Sequence, residues 1–141
     1  MSTIFESIMA RNIPGEFIWE DSQCVAIMTI EPVSPGHALV IPREPVSKWT
    51  DLPTELLHHI TEVSQHIGNA QIEAFHAPRA AVVIAGFEVP HTHIHVIPAH
   101  TEMDCLLSRA TKAEPEELAA AADLLRGTLR SAGFASFIPS N

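Results

Sequence analysis

Three histidines that alternate with other residues give segment 90–98 the clearest capacity for chemistry in this chain. In an extended strand, successive side chains point to opposite faces of the sheet, so His91, His93 and His95 are predicted to share one face. The threonine, isoleucine and valine that follow each of them would face the other way and can pack on a core. Neither a core nor a plain solvated strand gains from three aligned imidazoles, so the pattern predicts a functional site. A polar strand face that carries histidines by chance is the simpler alternative.

A metal site is one chemistry that histidines at this spacing suggest. Histidine binds zinc through bonds of about 2 Å. At about 3.3 Å per residue, His91 and His95 start roughly 13 Å apart along an ideal strand, so one ion does not easily reach all three side chains. A pair such as His93 and His95 would need partners from elsewhere, for example His37 or His100. A metal-dependent hydrolase therefore stays open as an alternative.

Nucleophilic catalysis is the second chemistry, and the spacing favours it. Neutral imidazole is a good nucleophile near pH 7, because its ordinary pKa is about 6.5. It can attack a phosphorus atom and hold the transferred group as a covalent intermediate. The outer histidines would lie roughly 7 Å from the central one, about the span of a phosphate between them, and could stabilise charge on its oxygens. His93 is therefore predicted to be the nucleophile.

Length and composition limit the classes of protein to consider. The 141 residues predict one domain over residues 1–141, with 46% hydrophobic and 18% charged residues. The formal net charge of −9 gives no general attraction for a polyphosphate backbone, so no nucleic acid polymer is expected as a partner. No apolar run has the length of a membrane span, and no signal segment is apparent. Cys24 and Cys105 are predicted to be free thiols in a reducing cytoplasm.

The order of predicted elements indicates an α+β domain on an antiparallel sheet. Apolar, β-prone runs bounded by turn residues predict strands at 16–20, 24–30, 37–41 and 80–85, with the histidine segment as the fifth. Apolar residues at three- and four-residue spacing predict helices at 3–11, from about 51 to 76, and from 114 to a stop near Gly133.

With these residues in view, the segment from His91 to Ile97 resembles the motif of the histidine triad (HIT) family. The N-terminal half is similar to HIT proteins as well, through segments 3–5, 19–21 and 35–42, so the resemblance covers roughly residues 3 to 100. It implies a HIT-like fold with a five-stranded antiparallel sheet and two main helices. It also implies a homodimer with a continuous sheet, and nucleotide hydrolase or transferase chemistry.

The resemblance also implies roles for individual residues. His93 matches the residue that takes the nucleotidyl group, His91 the supporting first histidine, and His95 the third histidine that contacts phosphate. The residues matched to the nucleotide pocket are Phe5, Ile8, Ile27, Thr29, Ile30, Glu88 and Val89. For the apolar members of this set, plain core packing is an equally good interpretation. We assign the chain no cofactor and no metal ligand.

Three departures from the family pattern concern the substrate. Thr29 replaces the acidic residue that commonly holds the ribose hydroxyls, and it carries no charge. Phe87 and Glu88 stand where the family usually has a glutamine and a small polar residue. Glu88 could protonate or orient a leaving group, whereas a plain surface carboxylate is the alternative.

A further departure concerns a structural metal. Some members of the family carry zinc-binding cysteines near the N-terminus, and these positions are Thr3 and Glu6 here. A further histidine after the third strand is replaced by Pro45. No structural zinc is therefore expected.

The sequence thus predicts a cytoplasmic HIT-type hydrolase or nucleotidyl transferase. Its substrate would be a conjugate of a purine nucleoside monophosphate, of the phosphoramidate or dinucleotide type, and a covalent nucleotidyl-histidine would form on His93. The alternative is a nucleotide-binding or sensing protein with weak or no catalysis, which the departures at Thr29, Phe87 and Pro45 motivate.

Overall fold

Five strands form one antiparallel sheet in the order β1-β2-β3-β5-β4. The computed structural model of the chain describes residues 2–139. The strands are β1 (Phe17–Glu20), β2 (Cys24–Met28), β3 (Ala38–Pro42), β4 (Arg79–Val83) and β5 (Ile94–Ala99). The helices are α1 (Ile4–Met9), α2 (Thr54–Phe75) and α3 (Pro115–Leu129), with short 3₁₀ turns between elements. The predicted α+β class and five-stranded antiparallel sheet are confirmed.

Alternating side chains divide the sheet into two apolar faces. Ala26 in β2 and Val40 in β3 pack with the long helices α2 and α3, whereas Val25 and Ile27 point to the opposite face. That opposite face carries a smaller cluster beneath α1, which we call the α1-side cluster. Its buried members are Phe5, Phe17, Val25, Ile27, Leu39 and Ile41. The long helices α2 and α3 therefore shield one face, while the α1 side remains available for a site.

The sequence predicts the C-terminal end of α2 correctly, but not its start. The helix ends at Phe75, close to the predicted end near residue 76. His76 follows with a left-handed φ of 53°, which stops the helix. Its start lies later than the predicted start near residue 51: Asp51 lies in a 3₁₀ turn, and Pro53 occupies the cap position without a side-chain hydrogen bond. Proline fixes φ near the helical value, which is enough to begin the helix.

The last helix begins as its sequence predicts. Pro115 is its first residue, and Glu114 and Glu117 form a reciprocal capping box with the backbone. Its buried residues Ala122, Leu125 and Leu129 pack on the sheet and α2. None of the helices in residues 2–139 combines the length and apolar character that crossing a bilayer requires.

A glycine turn and a buried glutamine fix the approach to β3. Gly36 has a φ of 96°, and a Cβ there would clash with the ring of Phe75, so the position requires glycine. Gln71 of α2 is fully buried, and its Nε2 donates to the carbonyl oxygens of Gly36 (2.9 Å) and Val96 (2.8 Å). The helix is thereby tied to the start of β3 and to β5, the two segments that bring histidines together.

Candidate active site

The three predicted histidines lie on the α1 side of the sheet, but not all within a strand. β5 begins at Ile94, so only His95 belongs to it, and the prediction that the strand includes all three is wrong. The ladder between β3 and β5 begins at the pair Val40 and Ile94, so residues 91–93 precede it. The alternation persists nevertheless, because His95 pairs with Leu39 of the α1-side cluster while Ile94 packs toward the helices.

A loop contact sets the geometry ahead of β5. The backbone N–H of Thr92 donates to the carbonyl oxygen of Val46 (2.7 Å), and its hydroxyl donates to the same oxygen (2.8 Å). Thr92 is buried, as expected for a residue that faces away from the histidines. These two bonds therefore anchor the segment before β5 to the loop that follows β3.

One hydrogen bond fixes the tautomer of His93. Its Nδ1 lies 2.8 Å from the carbonyl oxygen of His91. A carbonyl oxygen only accepts, so Nδ1 carries the proton and Nε2 keeps a free lone pair. Burial lowers the pKa of His93, although the bond to the His91 backbone opposes that shift, and the ring is therefore neutral at pH 7.

A second histidine fixes the proton of His95. The Nδ1 of His37 accepts the backbone N–H of Val33 (3.0 Å), so its proton is on Nε2, which donates to Nδ1 of His95 (2.9 Å). The proton of His95 is consequently on its own Nε2. Burial lowers the pKa of His37 to about 3 and that of His95 to about 4, so both rings are neutral. His95 can thus donate a hydrogen bond from Nε2 to a phosphoryl oxygen.

The role of His37 is a functional feature that the sequence reasoning missed, since it considered this residue only as a metal partner. The signal in the sequence is a histidine directly after a proline-glycine turn and directly before an apolar strand. His37 is 1% exposed, and with both ring nitrogens engaged it orients His95 and does not contact a substrate. It is therefore a positioning residue.

His91 also acts from inside the protein. It is fully buried, its Nε2 donates to the carbonyl oxygen of Pro42 (2.7 Å), and its Nδ1 accepts the hydroxyl proton of Thr3 (2.7 Å). Neither ring nitrogen remains for a substrate. The histidine instead fixes its own backbone carbonyl, the group that orients His93.

The N-terminal positions that hold zinc in some relatives do not fit a metal here. The Thr3 hydroxyl is engaged with His91 and with the backbone N–H of Glu6 (3.2 Å). The Oε1 atom of Glu6 accepts the backbone N–H of Thr3 (3.0 Å), which completes a capping box of α1. Pro45 offers no ligand atom. Hydrogen bonds therefore connect α1 to the first triad histidine.

Four of the predicted nucleotide-binding residues come together next to the triad. The ring of Phe5 meets the rings of His91 and His93 edge-on, at centroid distances of 5.6 and 4.9 Å. Phe5 and Ile27 are buried in the α1-side cluster, and the half-buried side chains of Ile8 and Val89 pack against it. These side chains form an apolar wall beside His93.

The other predicted pocket residues lie outside that cluster. Thr29 follows β2, and its Oγ1 accepts the backbone N–H of Glu31 (3.2 Å), which leaves the hydroxyl proton free to donate. Ile30 is 62% exposed, and Glu88 is exposed in the loop before the triad. The structure therefore brings Thr29, Ile30 and Glu88 to the rim of the site at most, not into its apolar wall.

Among residues 2–139, one group of three ligand-type side chains has donor atoms within 4.8 Å of one another, and it contains no triad histidine. It consists of Asp21, Cys24 and His59. The oxygens of Asp21 already accept N–H groups from Trp19 and His59 and from the backbone, so the group serves as a hydrogen-bonded turn. Burial raises the pKa of Asp21, but these hydrogen bonds outweigh it and lower the value to about 2.

Comparison with known proteins agrees with this geometry. The model of the HIT domain matches residues 10–102. An uncharacterised HIT-like protein of Mycobacterium tuberculosis is 34% identical over 70% of this chain and 72% of its own length. The adenosine 5'-monophosphoramidase of Saccharomyces cerevisiae is 30% identical over 74% of this chain and 66% of its own length. The chain belongs to the HIT family.

Solved structures support the same relationship. A Zn-bound histidine triad family protein from Mycobacterium smegmatis superposes with a TM-score of 0.81 at 29% identity, over 96% of this chain and 98% of that one. A Hit-like protein involved in cell-cycle regulation from Bartonella henselae gives a TM-score of 0.80 at 29% identity, over 90% and 96% of the two chains. The HIT-like fold is thereby confirmed, and two relatives, one described as a monophosphoramidase and one as a hydrolase, support hydrolase chemistry in general.

Proposed function

We propose that this protein is a nucleotide phosphoramidase or nucleotidyl transferase that acts on conjugates of a purine nucleoside monophosphate through a covalent intermediate on His93. The observation that carries the proposal is the bond from Nδ1 of His93 to the His91 carbonyl, which leaves Nε2 unprotonated beside an apolar wall. The activity for which the yeast relative is named, adenosine 5'-monophosphoramidase, supports the choice of phosphoramidates.

The first step forms the intermediate. The lone pair on Nε2 of His93 bonds to the α-phosphorus while the bond from phosphorus to the leaving nitrogen breaks. The bonding pair stays on the departing amine, which takes up one proton from solvent. Nε2–H of His95, oriented by His37, donates to a phosphoryl oxygen and stabilises its charge in the transition state.

The second step releases the product. A water oxygen bonds to phosphorus, and the bond from Nε2 of His93 to phosphorus breaks with its pair returning to the ring. The attacking water gives one proton to solvent, which balances the proton that the amine took up. The products are a nucleoside monophosphate and a neutral His93 ready for another cycle. A different acceptor in place of water makes the same step a nucleotidyl transfer.

Binding of the nucleoside rests on the wall beside the triad. Phe5, Ile8, Ile27 and Val89 would contact base and sugar, which matches the apolar lining common to small-molecule sites. Thr29 would donate a single hydrogen bond to the ribose in place of a carboxylate. Ile30 and Glu88 would contribute at the rim.

The decisive experiment is mass spectrometry of the quenched protein after incubation with adenosine phosphoramidate. We expect an adenylyl adduct on His93 and turnover that persists after metal is removed by chelation, whereas His93→Ala abolishes both. The control His58→Ala changes an exposed histidine of α2 and should leave both intact. Full turnover in His93→Ala would refute the proposal. Tight nucleotide binding with no turnover by the wild type would favour the sensing protein instead.

The oligomeric state and the cellular location of the protein are also part of the proposal. We propose a homodimer that continues the sheet across two copies, supported by the open outer edge of β4. A cytoplasmic location fits the free thiols of Cys24 and Cys105.

A further inference from the structure

A groove of about 400 Å³ borders the triad on the side of the N-terminus. One wall is the start of the chain, and the other is the loop that leads into His91. The lining residues are Ser2, Thr3, Ile4, Glu88, Val89 and Pro90. Thr3 bonds directly to His91, and Val89 also packs on the apolar wall, so the groove adjoins both the first histidine and that wall.

Glu88 is the single charged residue among those that line the groove. Its side chain is exposed and forms no ion pair with another described residue. Its negative charge opposes the effect of burial on the pKa of His93, so the field of the carboxylate reaches the nucleophile. A group in this groove therefore meets the negative charge of Glu88.

The rings of His37, His91 and His95 supply no positive charge to offset the negative charge of Glu88. His37 and His95 are neutral at pH 7, since burial lowers both pKa values well below 6.5. His91 is neutral too, because its Nδ1 accepts the proton of Thr3. A leaving group with several negative charges, such as a nucleoside polyphosphate, would therefore meet repulsion from Glu88 with no cation among these residues to neutralise it.

Resting on the proposed function, we propose that this groove binds the leaving group and that Glu88 selects phosphoramidates whose departing amine is cationic or neutral. Conjugates whose departing part is anionic, including dinucleoside polyphosphates, are disfavoured. The rest of the groove suits an aliphatic amine, because Ile4, Val89 and Pro90 give it an apolar surface.

Three substrates of nearly equal size test the selection. They are adenosine 5'-phosphoramidates of ethylenediamine, ethanolamine and glycine, whose leaving amines carry a positive, a neutral and a negative end. From the strength of exposed charge pairs, we expect kcat/KM to fall by roughly tenfold in total from the first to the third. High salt should narrow this range, since the charges are solvated.

Two variants assign the selection to one residue. Glu88→Gln keeps the shape but removes the charge, and should reduce the ratio between the cationic and anionic substrates to near one. Glu88→Lys should invert it. Glu73→Gln removes an exposed charge from α2, outside the groove, and should leave the ratio as in the wild type.

The outcomes separate this inference from the proposed function. Turnover of all three substrates with equal kcat/KM, or a ratio that Glu88→Gln does not change, would overturn the inference and leave the nucleophilic role of His93 standing. No turnover of any substrate and no adduct on His93 would overturn both. The predicted ratio in the wild type, lost in Glu88→Gln and kept in Glu73→Gln, would establish the inference.

Discussion

The proton positions on four histidines follow from the hydrogen-bond partners of their ring nitrogens. His93 donates to a carbonyl, and His37 accepts from a backbone N–H, so neither ring is free to exchange its tautomer without losing a bond. His91 is held in the same way between Thr3 and Pro42. The reactive Nε2 of His93 and the donating Nε2 of His95 are therefore set before a substrate arrives, which reduces reorganisation in the transition state.

Thr3→Val tests this network at its far end. The change keeps the shape but removes the hydroxyl that donates to His91, so the first histidine can adopt the other tautomer and release the Pro42 carbonyl. We expect kcat to fall by about fivefold, corresponding to a hydrogen bond of about 1 kcal/mol. The measurement is phosphoramidase kinetics together with the ¹⁵N NMR tautomer pattern of His91.

Thr3→Ser retains the hydroxyl and serves as the control. It should keep both the kcat and the NMR pattern near those of the wild type. If the valine variant showed an unchanged kcat and an unchanged tautomer, the positioning role of Thr3 would be ruled out, and only its contribution to the cap of α1 would remain.

Helix α2 supports the site from the opposite face of the sheet. Its residue Gln71 donates to the carbonyl of Gly36, which precedes His37, and to that of Val96, which follows His95. One buried amide thus joins the backbone next to both members of the histidine pair. A hydrogen bond in a buried setting costs most when one partner is removed and the other is left unsatisfied.

Gln71→Met is expected to lower the free energy of unfolding by about 1–3 kcal/mol, because two carbonyls lose a buried donor. It should also lower kcat at temperatures where the protein is fully folded, since α2 no longer fixes the backbone next to His37 and His95. Urea unfolding and kinetics on the same samples measure the two effects. Gln65→Met, at an exposed position of the same helix, is the control. A loss of stability with no change in kcat would contradict the link to the site.

The two edges of the sheet differ in how they are protected. At the β1 edge, the buried Arg126 of α3 donates to the carbonyl of Phe17 (2.7 Å) and pairs with Glu16 (3.0 Å). At the other edge, β4 has exposed or half-exposed residues throughout, and Val82 is 56% exposed. An unprotected edge strand is a template for pairing, and a two-fold axis would let β4 pair with itself in a second copy.

Val82→Lys is expected to convert a dimer into a monomer, because two added charges would approach one another across paired β4 strands. Light scattering coupled to size-exclusion chromatography measures the mass directly. Leu124→Lys alters an exposed leucine of α3, far along the chain from β4, and should leave the dimer intact. A wild-type protein that is monomeric at high concentration would exclude the proposed assembly.

The sequence alone determined the alternation of histidines with core residues, the strand order along the chain and the α+β class, because these depend on periods of two and 3.6 within short segments. Only the tertiary structure decided that β5 begins after His93, since a strand needs a neighbour to pair with. It also decided that His91 is buried and that His37 orients His95, 58 positions away. Such contacts join distant parts of the chain, and no local pattern encodes which hydrogen-bond partner a histidine will meet.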